Sequence, residues 1–168
     1  EQGDVGVRAD LEAALAGEAV AGRRVGAGEA GDRGGAIFPD SGGLRGAERA
    51  AQRQAYRLVE LKRWAEQTGI PIVIKPKHSP SDEVAATRLV IAAELKGLDA
   101  LQFSQELGRA LWELEQSLAD PATIEAAGKR AGVDVAQLKK SAPGDAELDA
   151  IWDANTSEAV GRGVFGAP

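Results

Sequence analysis

Between Ala47 and Pro168 only one stretch reads as a β-strand, and one strand cannot make a sheet. Ile70-Pro-Ile-Val-Ile74 is short, β-branched and apolar, with Pro71 marking its start or an edge position. Everything around it has a helical period. Ala47, Ala51, Leu58, Leu61 and Ala65 recur through Thr68, where Gly69 ends the helix. Ser81 is placed to N-cap the next one, with Asp82 and Glu83 in its first turn and Leu89, Ala92, Ala93 and Leu95 on its apolar side. Asp99 opens a third, with a stripe of Leu107, Ala110, Leu111, Leu114 and Leu118. Asp120-Pro121 starts a fourth as N-cap plus proline at the first helical position, and it ends near Ala131-Gly132. Asp134 caps a short helix holding Val135 and Leu138. Asp145 or a neighbour opens the last, with Leu148, Ile151, Trp152, Ala159 and Val160 inward. The strand therefore needs partners before it, after Pro168 or from another chain.

Residues 1–46 are of another kind, which divides the chain into a glycine-rich arm, 1–46, and a domain, 47–168. The arm holds 12 of the 21 glycines, and only Asp10-Leu-Glu-Ala-Ala-Leu-Ala16 reads as a short helix. Each interior glycine costs a helix about 1 kcal/mol against alanine, so this density opposes regular structure. Neither Gly-x-x-x-x-Gly-Lys-Ser/Thr nor a strand-flanked Gly-x-Gly-x-x-Gly occurs, so a flexible arm is a simpler reading than a phosphate loop. The chain starts at Glu1 and has no methionine, so an initiator has been removed or more sequence exists.

Composition removes several chemistries. With no cysteine, the chain has no disulfide, zinc-thiolate site or Cys-x-x-Cys redox centre. One histidine, His78, makes a His-based metal site or a Ser-His triad a poor fit, and no metal is expected. A net charge of −6 and a pI of about 4.9 argue against nucleic acid as partner. No apolar run is long enough to span a bilayer and no signal peptide is visible, so a cytoplasmic protein is expected.

Several segments together resemble a known family. They are Tyr56-Arg-Leu-Val-Glu-Leu-Lys-Arg-Trp-Ala-Glu-Gln-Thr-Gly-Ile-Pro71, Pro76-Lys-His-Ser-Pro-Ser81, Gly108-Arg-Ala-Leu-Trp112, Ala119-Asp-Pro-Ala-Thr-Ile124 and Ala154-Asn-Thr-Ser-Glu-Ala-Val-Gly-Arg-Gly-Val-Phe-Gly-Ala-Pro168. From about Gln54 onward the chain resembles the 2-hydroxychromene-2-carboxylate isomerases, glutathione-dependent relatives of kappa-class glutathione transferases and of DsbA. The most specific part is Asn-Thr near a helix start with Phe-Gly-x-Pro at its far end. The resemblance implies an α/β fold, thioredoxin-like with a large helical insertion, of which this chain is mostly the helical part. It also implies glutathione as cofactor, a small aromatic carboxylate as substrate, and a homodimer.

The site residues follow from the same resemblance. The proline of Phe-Gly-x-Pro is cis in the family, so Pro168 would set a turn at which the backbone of Ala167 pairs with the cysteinyl part of glutathione. A cis proline leaves the preceding backbone groups free for a ligand. Arg53, three residues before Tyr56, would lie near the glutathione site and can pair with a glycyl carboxylate. Asn155 would lie near the active site, and Trp112 is a candidate wall of the substrate pocket. The family's catalytic serine, in a Ser-Pro-Tyr-like turn, has no counterpart in residues 1–46, where Ser41 is the one serine; the catalytic group is unassigned.

Other residues have plainer readings. His78 has a suitable intrinsic pKa for a general base but no partner acid at readable spacing, so a solvated loop histidine is simpler. Trp64, Trp112 and Trp152 each fall on an apolar helix side and read first as core. Asn155 and Thr156 can equally be an exposed or back-bonded polar pair. Ser81 is most simply a cap, and Glu113, Glu115 and Asp120 read as surface charge. Two alternatives to the isomerase stand: a glutathione transferase-like protein, and a non-catalytic helical module whose apolar surfaces drive oligomerisation.

Overall fold

The computed structural model describes residues 42–44 and 46–163. Most of the 1–46 arm, including the helix expected at Asp10–Ala16, lies outside these residues. So do Ser41 and the run from Val164 to Pro168. Among these residues a 3₁₀ turn, Gly46–Glu48, leads into six α-helices. These are α1 (Ala51–Thr68), α2 (Val84–Leu95), α3 (Ala100–Trp112), α4 (Pro121–Arg130), α5 (Val135–Ser141) and α6 (Asp145–Gly161).

Short-range chemistry sets most of the helix ends. The carboxylates of Asp99, Asp120 and Asp134 accept the backbone N–H of Gln102, Ala122 and Gln137 at 2.9, 3.0 and 2.9 Å, satisfying donors that a helix start leaves unpaired. Pro121 occupies the first turn of α4, where no N–H is needed. Gly69, at φ 70°, ends α1 in the left-handed region that glycine enters without cost. Past α4, Gly132 has φ 73°, and its N–H donates to Lys129 O at 3.3 Å while that of Val133 donates to Gly128 O at 2.8 Å. That pair of bonds is a Schellman motif, and it turns the chain sharply into α5.

The core gathers on α2. Its sequence, VAATRLVIAAEL, is apolar on nearly every side, and Ala86, Leu89, Val90, Ile91, Ala92 and Ala93 are all buried. A helix apolar all round must be enclosed. Accordingly α3, α5 and α6 all pack on α2, and α4 bridges α3 and α5. Phe103, Leu107, Leu118, Ile124, Leu138, Leu148 and Trp152 complete the same cluster. Burying a large apolar side chain contributes about 1.5–3 kcal/mol, so this cluster is what holds the bundle together. The seam between α2 and α6 also carries a polar clamp. Arg88 Nε and Nη2 donate to Asp149 at 2.8 Å each, and Nη1 to Asp145 at 2.7 Å. Arg130 of α4 likewise pairs with Glu106 of α3.

Helix α1 stands apart, and none of the principal helix–helix contacts involves it. Leu58, Leu61 and Ala65 are half-buried and Thr68 is buried, whereas Tyr56, Val59 and Trp64 are exposed.

Several expectations change. Ile70–Ile74 is irregular, not a strand: its inter-segment backbone bond is from Val73 N–H to Trp112 O at 2.7 Å, and no strand occurs among the described residues. A strand exists only by laddering with another, and Pro71 has no N–H to give; Ile72 instead packs on the helical core. The α/β fold expected from resemblance is thus represented, among the described residues, by helices alone. Ser81 does not cap α2. Its hydroxyl accepts the N–H of Leu118 at 3.2 Å, while Asp82 accepts that of Val84. Leu114 is exposed because α3 ends at Trp112 and the periodicity stops with it, although Leu118 still reaches the core from the loop. Leu95, in the last turn of α2, is 50% exposed. Trp64 is 41% exposed, at the margin of the face that carries Leu58, Leu61 and Ala65.

Candidate functional site

The residues singled out by sequence fall in three places. Arg53 lies in the first turn of α1, exposed, and its guanidinium makes no ion pair among the described residues. On the next turn Tyr56 Oη donates to Glu60 at 2.8 Å. That hydrogen bond, with the negative charge of Glu60 behind it, raises the phenol above its ordinary value. Arg53 and Tyr56 therefore share an exposed, polar face of α1.

Trp112 closes α3 and is buried in the core cluster. Its carbonyl receives Val73 N–H, so it is also where the segment leaving α1 meets the bundle. Asn155 is half-buried on α6, next to Thr156, which is buried and donates its hydroxyl to Trp152 O at 2.9 Å. Thr156 is therefore back-bonded, the plainer of its two readings. Both α3 and α6 pack on α2, and no principal contact joins them to each other. Ala167 and Pro168 lie outside the described residues, so the turn expected to hold glutathione is not among them. Ser79-Pro80 is a cis peptide among the described residues. The open groove between α4 and α5, about 410 Å³, is lined by Glu125, Lys129, Val133 and Val135 and contains none of these residues.

The loop between α1 and α2 carries Lys75, Lys77 and His78, all exposed. Sequence reasoning set Glu115 aside as surface charge, and the structure gives it a partner there. Its carboxylate accepts Lys77 N–H at 3.3 Å and lies 3.8 Å from Lys77 Nζ. The two residues are 38 apart in the chain, and no periodicity links them. Glu113 pairs with Arg109, and Asp120 is a helix cap. Gly128 also went unnoticed. A side chain there would meet Val135 and the backbone of Val133, a requirement that only the packing of α4 on α5 shows. Among the described residues no group of three His, Asp or Glu side chains is placed to hold a metal ion, and no helix is long and apolar enough to cross a membrane.

No curated protein matches the chain at a significant level. The DSBA-like thioredoxin domain does match, over residues 35–168, a span that runs from before α1 through the whole helical bundle to the end of the chain. That span covers most of the sequence and all six of the described helices. The chain belongs to the DSBA-like thioredoxin family.

Proposed function

We propose that this protein is a glutathione-dependent isomerase acting on 2-hydroxychromene-2-carboxylate in aromatic catabolism. One observation carries the reading. The family is compatible with glutathione-related or disulfide-related chemistry, and the matched residues 35–168 contain no cysteine. With no protein thiol in that span to exchange, the thiol of a bound ligand is the reactive group it can use. Glutathione supplies, when bound, a thiolate that adds reversibly to a conjugated carbon, which lets the double bond rotate with no net redox change.

The chain's own residues have roles in binding and orientation. Arg53 offers to the glycyl carboxylate of glutathione an exposed guanidinium that makes no ion pair among the described residues. Ala167 would pair its backbone with the cysteinyl part, at a turn set by Pro168. We assign Asn155, at the edge of the core, and Trp112, at the end of α3, to the side that receives the planar aromatic acid. A reducing cytoplasm, where glutathione stays reduced, is the compartment this chemistry needs. A glutathione transferase-like activity would use the same binding residues. The test is retention of the full-length gene product on glutathione-agarose, together with an absorbance assay of isomerisation. Retention that falls when Arg53 becomes alanine supports the assignment, and absence of both binding and turnover refutes the reading.

A second reading rests on α1. Tyr56, Val59 and Trp64 are 54, 45 and 41% exposed on a helix outside the main packing, which favours self-association, as a homodimer or as a non-catalytic module. Sedimentation of the full-length protein as a monodisperse monomer would remove it.

A further inference from the structure

We propose that Glu115 is the clamp that sets where α1 stands relative to the α2–α6 bundle. The connector between α1 and α2 lies against the turn that follows α3 and is held at three points. Val73 N–H donates to Trp112 O at 2.7 Å, Lys77 N–H to Glu115 Oε1 at 3.3 Å, and Leu118 N–H to Ser81 Oγ at 3.2 Å. Ile72 and Pro76 are the connector's own contribution to the packing, half-buried and buried respectively. Among the described residues no principal contact joins α1 to another helix, so this connector is a main route by which its placement relative to the bundle is set.

The middle point is the informative one. Glu115 has φ 51°, the one non-glycine residue with positive φ among those described. That conformation is unfavourable for a side chain with a Cβ, and glycine or asparagine would occupy it more easily. The same turn buries Gln116 Oε1 with no hydrogen-bond partner among the described residues. Two unfavourable features in one short turn persist only where the surroundings over-determine it. Glutamate supplies what glycine and asparagine cannot, which is reach: its two oxygens meet the backbone N–H and the ammonium of Lys77. The ammonium is well exposed and the ion pair adds little. The main-chain bond does the positioning, because it fixes connector backbone rather than a mobile side chain. The proposal is independent of which ligand the protein takes.

The absence of cysteine makes the test direct. Val59→Cys on α1 and Lys140→Cys on α5, both at exposed positions, accept a spin label each in the full-length protein, and pulsed electron resonance reads the distance between them. With Glu115 intact the distribution is narrow. Glu115→Gly widens it roughly twofold or more while the thermal midpoint stays level or rises, since glycine relieves the left-handed backbone. Glu115→Gln keeps an acceptor oxygen within reach of Lys77 N–H and keeps the distribution narrow. A merely structural role predicts the reverse for glycine, a lower midpoint with unchanged width, and that result overturns the proposal. If Glu115→Gly loses helical signal, the distance is read in Glu115→Asn, which tolerates the same backbone but is too short to reach. A narrow distribution in that variant overturns it equally.

Discussion

Replacing Gly128 by alanine tests the packing of α4 on α5 at a single atom. A Cβ at Gly128 would sit 2.3 Å from Val135 Cγ2 and 2.9 Å from the carbonyl oxygen of Val133. Both distances are far inside van der Waals contact. The first neighbour can turn away only by leaving its rotamer. The second is backbone, held in place by the Val133 N–H bond to Gly128 O at 2.8 Å. Glycine to alanine inside an ordinary helix stabilises by about 1 kcal/mol, whereas overpacking a closed site costs about 1–3 kcal/mol. Because one obstacle is main chain, the steric cost falls in the upper part of that range, about 2–3 kcal/mol, which leaves a net loss of about 1–2 kcal/mol. At roughly 2–4 °C per kcal/mol for a chain of this size, the thermal midpoint falls by about 2–8 °C. Far-UV circular dichroism on heating measures it, and urea titration supplies the free energy. The double variant Gly128→Ala with Val135→Ala sharpens the test. Removing the γ-methyls relieves the closest contact, so its loss should be smaller than the sum of the single losses by about 1 kcal/mol or more. A midpoint that is unchanged or higher in Gly128→Ala, or strictly additive losses in the double variant, would refute the reasoning.

Two further outcomes follow from the side-chain pairs. Tyr56 is the single tyrosine, so its ionisation can be followed by near-UV absorbance, and it should titrate above the ordinary value of about 10. Because the folded-state pKa is raised, the accompanying stabilisation is complete below the ordinary value and is lost as pH climbs through the raised one. Glu60→Gln should bring the midpoint down, and an unmoved midpoint would break the link. At the α2–α6 seam, Arg88→Ala should lower stability by about 1–2 kcal/mol, since it removes two charged hydrogen bonds to the half-buried Asp149, whereas Lys77→Ala should cost under about 0.5 kcal/mol in the same assay. Equal losses in the two variants would refute that ranking. The hydrogen bond to Asp149 holds Arg88 above its ordinary range, so this contribution is present below that range and stays level from neutral to mildly alkaline pH.

What could be read from the sequence was what depends on neighbours a few residues away. Asp99, Asp120 with Pro121, and Asp134 cap helices because a carboxylate needs only the next turn to find its donor. Ser81 looked like the same signal, but its hydroxyl goes to Leu118, 37 residues on, where a buried N–H had no other partner. Ile70–Ile74 has strand composition, yet strandness requires a second strand and none is among the described residues. Trp64 and Leu95 had the right spacing and lie on exposed surface, because spacing identifies a face without saying whether anything covers it. The candidate site was legible only through resemblance. Arg53, Trp112 and Asn155 are each where a helix puts them, but nothing local in the sequence states how α1, α3 and α6 are disposed around α2.

The clamp of Arg88 on Asp145 and Asp149 has a consequence for the order of assembly. It joins residues 57 and 61 positions apart, across a loop that contains α3, α4 and α5 entire. Closing a loop of that length in an unstructured chain carries an entropy that rises with its length. Once α3, α4 and α5 have folded on one another, most of that loop is already short and stiff. On that entropy argument the α2–α6 seam is expected to close late in assembly and to open early in unfolding. A chain lacking α6 would present the most apolar helix of the bundle to water, with the rest of its fold already made.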